Sequence, residues 1–187
     1  MKKLNRVRIV NHLRRFGPAS RAELARTTGL DPKTITNCCN SLFDDKLIER
    51  REPVASGRGR PAERMAIRSD AALAVGIDIG AQQVTVLTLD LEGTVGRQAR
   101  CIFGRSRRRD ALLEAVNDQL DEVLSELSDS LRRNVVGLGV CAPGFLDRNT
   151  GVIVRSVNIR GFTEVPIARL LEERTELPVT LEESSRA

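Results

Sequence analysis

Residues 20–43, which read SRAELARTTGLDPKTITNCCNSLF, constrain the fold of this chain more than any other stretch. Ser20 is followed three residues later by Glu23, and this capping-box pattern predicts a helix that begins at Arg21. Gly29 can adopt the left-handed conformation that ends a helix. The sequence therefore predicts a short helix between Arg21 and Gly29, with a tight turn after it.

A second helix is predicted to follow this turn directly. Asp31 is a favourable N-cap residue, and Pro32 suits the first helical position. Four apolar side chains recur at helical spacing and should face inward: Ile35, Cys38, Cys39 and Leu42. Four polar side chains are left on the outer face, where a helix-turn-helix reaches base edges in the major groove: Lys33, Thr34, Thr36 and Asn37. An ordinary pair of packed helices with a solvated polar face is the alternative for this stretch alone.

The residues on either side favour the helix-turn-helix. Residues 5–16 have the spacing of an amphipathic helix, with these apolar members: Val7, Ile9, Val10, Leu13 and Phe16. After the helix pair, residues 47–50 and 65–67 are typical of two short strands, joined by a loop rich in Gly, Arg and Pro. Three helices and a basic hairpin are the pattern of a winged helix-turn-helix, which we assign to residues 1–70.

The tip of this hairpin, residues 56–61, reads SGRGRP. Its glycines allow the backbone to lie close to a groove wall, and arginine beside small residues suits the narrow, electronegative minor groove of A·T-rich DNA. A solvated, disordered hairpin tip is the alternative. Given the helices that precede it, we favour contact of Arg58 and Arg60 with DNA.

The charge of the chain is unevenly spread. Residues 1–70 hold 16 Lys and Arg against 8 Asp and Glu, a net of +8. The remaining residues hold 14 against 17, a net of −3, and together these give the total of +5. The asymmetry predicts a polyanion partner for the first part only. A generally Arg-rich proteome would instead raise arginine in both parts.

Other features of the sequence indicate where in the cell the protein is found. No apolar run approaches the length that spans a membrane, and the start lacks the uninterrupted hydrophobic segment of a signal peptide. The four cysteines have no metal-type spacing, and we expect them to be buried free thiols in a reducing cytoplasm: Cys38, Cys39, Cys101 and Cys141. We therefore expect a cytoplasmic protein without a membrane segment or a metal site.

The composition changes at Ala71, and a second domain is predicted over residues 71–187. Alternating and apolar runs predict strands over these residues: 73–80, 84–91, 94–103, 135–141 and 179–181. Helices are predicted over residues 110–131 and 167–175. The apolar stripe of the longer helix could form a coiled coil, but flanking strands favour packing on a sheet. The whole chain is therefore expected to be of mixed α/β class.

Several motifs occur in a fixed order after the winged helix: GIDIG at 76–80, LDLEG at 89–93, GVCAPGFLD at 139–147, SVNIRGF at 156–162 and LPVTLEE at 177–183. In this order the chain resembles the ROK family (repressors, open reading frames and sugar kinases), and in particular its transcriptional regulators. These regulators place a winged helix-turn-helix before an actin/hexokinase-like, that is ribonuclease H-like, sugar domain. The resemblance implies that residues 71–187 form part of its N-terminal lobe.

The resemblance also implies roles for individual residues. Asp78 and Gly80 match the first phosphate loop of the sugar kinases, in which backbone amides hold ATP phosphates. The loop here reads Gly-Ala-Gln-Gln at 80–83 where kinases have a second glycine and a threonine, so we expect it to be vestigial and no nucleotide cofactor to bind. Asn158 matches a residue that contacts sugar hydroxyls, although a turn-forming asparagine is equally compatible.

Two further residues are assigned to the same sugar site by the resemblance, Gly161 and Glu182. Ser184 stands where the kinases carry the aspartate that deprotonates the sugar hydroxyl, and a serine without a neighbouring base cannot take this proton. The sequence ends at Ala187, before the family's second lobe, and the alternatives of a naturally short and a truncated protein stay open. We therefore expect no enzymatic activity and no catalytic residue.

Together these observations predict a sequence-specific DNA-binding regulator, by family habit a repressor, of carbohydrate genes. Its expected partners are double-stranded DNA, a sugar or sugar-phosphate effector and a second copy of the chain. The expected DNA contacts are Arg21, Pro32, Lys33, Thr34, Thr36, Asn37, Arg58 and Arg60. The alternatives are a sugar kinase or sugar-binding protein of the same family, and a remnant that retains only DNA binding.

Overall fold

The computed structural model describes residues 2–51, 63–102, 109–156, 159 and 161–184. The chain divides into two compact units, each described here by itself. The N-terminal unit comprises Met1–Ala71 with Leu91–Gly93, and the C-terminal unit comprises Ala72–Asp90 with Thr94–Ala187. None of the helices in the described ranges has both the length and the apolar character that a membrane crossing requires.

The N-terminal unit contains three helices and a small antiparallel sheet. The elements are α1 (Lys2–Phe16), β1 (Ala19–Ser20), α2 (Arg21–Thr28), α3 (Pro32–Asp44), β2 (Ile48–Arg51) and β3 (Arg64–Ile67). The strand order is β1-β3-β2, so that β3 pairs with both neighbours. The predicted helices and the two hairpin strands are confirmed, whereas the two-residue strand β1 was not expected.

Side chains from all three helices and the sheet form one core in this unit. The inward set predicted for α3 is confirmed, because its four members are at most 2% exposed. The apolar set predicted for α1 is partly wrong, because Val7 and Phe16 are largely exposed. Val7 lies on the helix face away from Ile9 and Leu13. Phe16 is the last residue of α1, where its ring contacts His12 instead of the core.

The C-terminal unit is built on a five-stranded mixed sheet. Its elements are β4 (Leu73–Ile79), β5 (Gln83–Asp90), β6 (Val95–Ile102), α4 (Arg109–Ser125), α5 (Asp129–Arg133), β7 (Val135–Ala142), β8 (Phe145–Asp147), β9 (Val152–Arg155), β10 (Thr163–Val165), α6 (Ile167–Thr175) and β11 (Val179–Glu183). The order in the main sheet is β11-β7-β4-β5-β6. Strands β4, β5 and β6 are an antiparallel meander, whereas β7 runs parallel to β4 and β11 runs parallel to β7.

Helix α4 packs on β5 and β6. This confirms the prediction that its apolar stripe packs on a sheet and does not form a coiled coil. The prediction of one helix over 110–131 is wrong, since α4 ends at Ser125 and a separate short helix, α5, follows. Ser125 bonds back to the carbonyl of Glu122 at 2.9 Å, and Ser128 caps α5 by accepting from the N–H of Leu131 at 3.4 Å. Serine favours such local bonds over helix continuation.

A second, three-stranded sheet of order β10-β9-β8 was not predicted. Its first hairpin turns at Asp147, whose Oδ1 accepts from the N–H groups of Asn149 and Thr150 at 3.0 and 3.3 Å. The Thr150 hydroxyl, and after it the N–H groups of Asn149 and Thr150, lower the pKa of Asp147. The segment DRNTG at 147–151 was therefore a turn signal in the sequence.

Candidate functional site

Capping residues determine where helices α2 and α3 begin and where α2 ends. Ser20 and Glu23 form the predicted capping box at the start of α2, with both of its hydrogen bonds present. Gly29 ends α2 in the left-handed region, at φ 68°, and its N–H donates to the carbonyl of Ala25 at 3.0 Å. The start of α2 is thus set by a serine whose side chain accepts a hydrogen bond, and its end by a glycine that adopts the left-handed conformation.

Helix α3 begins as predicted, with Asp31 as N-cap and Pro32 at the first helical position. Asp31 Oδ1 accepts from the N–H of Thr34 at 2.9 Å. The hydroxyl and the N–H of Thr34 hold the pKa of Asp31 below its ordinary value, with the hydroxyl the larger cause. Thr34 is half-buried and supports the cap, so its hydroxyl is already engaged within the protein.

One stripe of exposed polar side chains runs along α3, opposite its buried face. The exposed members include Lys33, Thr36, Asn37, Asn40 and Asp44. Among the described residues, no hydrogen bond or ion pair engages the side chains of Lys33 and Asn37. The Thr36 hydroxyl donates to the carbonyl of Pro32 at 2.9 Å, and Pro32 is itself exposed. Sequence reasoning missed Asn40, although its position three residues after Asn37 places it on the same face.

A polar groove of about 590 Å3 lies beside this stripe. It is lined by Asn5, Thr34, Asn37, Cys38, Asn40, Ser41 and Asp44. The lining offers amide and hydroxyl groups, which donate and accept hydrogen bonds, and one carboxylate at the C-terminal end of α3. The surface around α3 is therefore suited to polar recognition.

The side chain of Arg21 contacts two other side chains of the N-terminal unit. Its guanidinium lies 3.7 Å from Glu63 Oε2 and donates to Asn40 Oδ1 at 3.5 Å. The Nε atom of Arg21 is enclosed and has no hydrogen-bond partner in the described structure. Sequence reasoning could not find these contacts, because Glu63 is distant in the chain.

The base of the hairpin is held by ion pairs. Arg50 Nε lies 3.1 Å from Glu63 Oε1, and the Arg50 guanidinium stands 5.3 Å from the ring centre of Phe43. Arg64 on β3 donates to the carbonyl of Pro18 at 2.5 Å. Arg58 and Arg60, predicted to contact DNA, lie outside the described residues.

In the C-terminal unit, two residues assigned by the family resemblance lie at the same end of the sheet. Asp78 on β4 is in register with Cys141 on β7, and Cys141 is in register with Glu182 on β11. Both carboxylates are exposed, and Glu182 pairs with Arg148 at 3.2 Å. Burial raises the pKa of the half-buried Cys141 thiol, and the two carboxylates raise it further.

The predicted phosphate loop is a tight turn in the structure. The Gly80 N–H donates to the carbonyl of Gln83 at 2.8 Å, so this amide is occupied within the loop. Gly161 has a φ of 75°, and Asn158 lies outside the described residues. Within the described ranges, His, Cys, Asp and Glu side chains form no group of three or more that could hold a metal ion.

Comparison with known proteins gives matches along the whole chain. The family model described as ROK family matches residues 74–187. The xylose repressor of Bacillus spizizenii is 23% identical over 187 residues, which is 100% of this chain and 48% of the repressor. The chain thus spans about half the length of the curated relatives it matches.

Two solved structures show the fold. The crystal structure of a ROK family transcriptional regulator, a homolog of E. coli MLC, superposes with a TM-score of 0.73 at 22% identity, covering 99% of this chain and 46% of the regulator. A ROK family glucokinase from Streptomyces griseus, in complex with glucose and AMPPNP, gives a TM-score of 0.51 at 20% identity and covers 60% of this chain and 33% of the kinase. The mixed α/β chain therefore shares the fold of a regulator along its length and the actin/hexokinase-like fold of the kinases over part of it.

Proposed function

The chain belongs to the ROK family, and from that premise we propose that it is a sequence-specific DNA-binding transcriptional repressor of carbohydrate genes. Residues 1–70 would be its winged helix-turn-helix, and residues 71–187 would be part of a sugar-kinase-like lobe. The names of its relatives, among them a xylose repressor, support a sugar-related repressor.

The observation that carries the proposal is the exposed stripe on α3. Lys33 and Asn37 point away from the core residues of the same helix, and no described residue engages their side chains. A lysine can donate to guanine and an asparagine can pair with adenine when a helix lies in the major groove. Polar groups held outward by a packed helix are the arrangement that base reading requires.

Charge supports a particular docking direction. The first 70 residues carry a net charge of +8, which favours a polyanion through counterion release. On α3 the only lysine stands near the N-terminus, and Asp44 ends the helix. We infer that α3 enters the groove with its N-terminal end foremost, because the carboxylate of Asp44 would repel phosphates at the other end. Arg58 and Arg60 would reach the adjacent minor groove.

The proposal includes a sugar or sugar-phosphate effector and a homodimer on two half-sites. The effector would bind near Asn158, Gly161 and Glu182, and Glu182 shares one end of the sheet with Asp78 of the vestigial phosphate loop. DNA-binding proteins of this type read half-sites separated by whole helical turns, which matches the symmetry of a dimer. A DNA-binding role would place the chain in the cytoplasm.

The test is a binding selection with the full chain on a randomised duplex library, followed by fluorescence anisotropy on the selected duplex. We expect a preferred sequence and a linear fall of log K with log salt, with a slope of about −0.9 for each phosphate contacted. A symmetric selected site would support the dimer. Absent or salt-insensitive binding would contradict the proposal.

A sugar kinase is the second candidate, favoured by the likeness of fold to the glucokinase. Ser184, at the position of the catalytic aspartate in the resemblance, and the closed turn at Gly80 oppose it. A coupled assay of the full chain with glucose and ATP separates the two candidates. Turnover that is lost in Asp78→Ala would establish the kinase, and we expect none.

A further inference from the structure

Asn40 belongs to the same exposed stripe as Lys33 and Asn37, one to two turns farther along α3. The three positions differ by four and three residues, so their side chains leave the helix on one side. Asn40 also lines the polar groove beside the stripe. A duplex that is contacted by Lys33 and Asn37 therefore passes close to Asn40.

Arg21 holds Asn40 from the protein side. Its NH2 group donates to Asn40 Oδ1 at 3.5 Å, and its NH1 group lies 3.7 Å from Glu63 Oε2. Glu63 is held in turn by Arg50, at 3.1 Å through Oε1. Arg21 thus joins the start of α2 to the middle of α3 and to the base of the hairpin. Turning Arg21 toward a phosphate would break the contacts with both Asn40 and Glu63.

We propose that Asn40 is an additional base-reading residue and that Arg21 is a positioning residue that fixes its amide, a proposal that rests on the DNA-binding function proposed above. Oδ1 of Asn40 accepts from Arg21, whereas no described residue accepts from its NH2 group, so its two N–H donors remain available to a base. They match the acceptors of guanine (O6 and N7) or O4 of thymine in the major groove. The carbonyl oxygen and the NH2 group of Asn37 are both available, so Asn37 can pair with adenine. The two asparagines would therefore read different bases.

The test repeats the library selection with the full chain and its variants Asn40→Ala, Arg21→Ala and Glu63→Gln. We expect Asn40→Ala to reduce discrimination about tenfold at one base pair, where guanine or thymine is preferred, and to leave the salt slope unchanged. Arg21→Ala should relax the same base pair without changing the slope. Glu63→Gln, which removes the negative charge that attracts Arg21 from its other side, should give a smaller loss at that position.

Several results would overturn this inference. If Arg21→Ala weakens binding to all sequences alike and reduces the salt slope by about 1, then Arg21 contacts a phosphate. Unchanged discrimination in Asn40→Ala excludes Asn40 as a base contact. Circular dichroism checks that each variant folds, and if Arg21→Ala does not, Glu63→Gln decides the positioning role. A wild-type chain without sequence preference would instead overturn the proposed function itself, so the two failures are distinguishable.

Discussion

Ser20 and Glu23 cap each other at the start of α2. Ser20 Oγ accepts from the N–H of Glu23 at 3.2 Å, and Glu23 Oε2 accepts from the N–H of Ser20 at 2.7 Å. The same carboxylate oxygen lies 3.7 Å from the guanidinium of Arg64 on β3. The capping box therefore joins the helix pair to the sheet that supports the hairpin, and its loss should be measurable in stability.

Replacing Ser20 by alanine should destabilise the N-terminal unit by about 1 kcal/mol, because the N–H of Glu23 loses its acceptor. Amide hydrogen exchange of α2 in the full chain measures this change. Ser20→Thr is the matched control, since it keeps a hydroxyl and its stability should stay within about half a kcal/mol of wild type. Equal exchange in wild type and Ser20→Ala would show that the cap contributes nothing.

The stability of the N-terminal unit should depend on the protonation of Glu23. Its pKa is lowered from the ordinary value of 4.5, first by the backbone N–H of Ser20 and then by the Ser20 hydroxyl. A lowered acid pKa stabilises the folded state above the unfolded value, and this contribution is lost as pH falls through the folded pKa. Hydrogen exchange of α2 should therefore show stability falling below about pH 4.5.

The variant Glu23→Gln separates this group from the other carboxylates. Gln can still accept the hydrogen bond at this position, but it does not titrate. The difference in stability between wild type and Glu23→Gln should be largest near neutral pH and should shrink on acidification. A difference that is constant from pH 6 to pH 3, to about a tenth of a kcal/mol, would contradict the linkage to Glu23.

Asn37→Ala should reduce sequence discrimination by about 1–3 kcal/mol at one base pair, since a bidentate contact to a base is lost. Non-specific affinity and the salt slope should change little, because Asn37 carries no charge. Asn11→Ala is the matched control, an exposed asparagine on α1 that does not line the groove beside the stripe. Binding selection on the randomised library measures both. Similar profiles for the two variants would exclude Asn37 as a base contact.

Two glycines with positive φ should respond differently to alanine. At Gly151, φ 66°, an added Cβ would lie 2.2 Å from the Cβ of Ala168, whereas at Gly161, φ 75°, nothing lies within 4 Å. Gly161→Ala should destabilise by about 1 kcal/mol from backbone strain alone. Gly151→Ala should cost several times more, because α6 must also shift. Urea denaturation of the full chain compares them, and equal midpoints would contradict the packing at Ala168.

The features that the sequence predicted are those whose determinants are local. The ends of α2 and the start of α3 depend on Ser20, Gly29 and Asp31 within a few residues of each helix end, and all three positions are confirmed. The ion pair of Arg21 could not be predicted, because its partner Glu63 lies 42 residues away in the sequence. The long helix was predicted wrongly because the apolar spacing continues to Leu131, across the break at Ser128. Strands β8 to β10, of three or four residues each, are too short to show a period.

The end of the main sheet can be tested through Cys141. Alkylation of this thiol by iodoacetamide should be slow at pH 7, because burial and the carboxylates of Asp78 and Glu182 raise its pKa and so reduce the reactive thiolate. Asp78→Asn removes one negative charge beside the thiol and should speed alkylation severalfold, as followed by mass spectrometry of the cysteine peptide. Asp118→Asn, at an exposed position on α4, is the matched control and should not change the rate. If the two variants react alike, Asp78 does not lie beside Cys141, and the strand register that brings Asp78 and Glu182 to one end of the sheet is wrong.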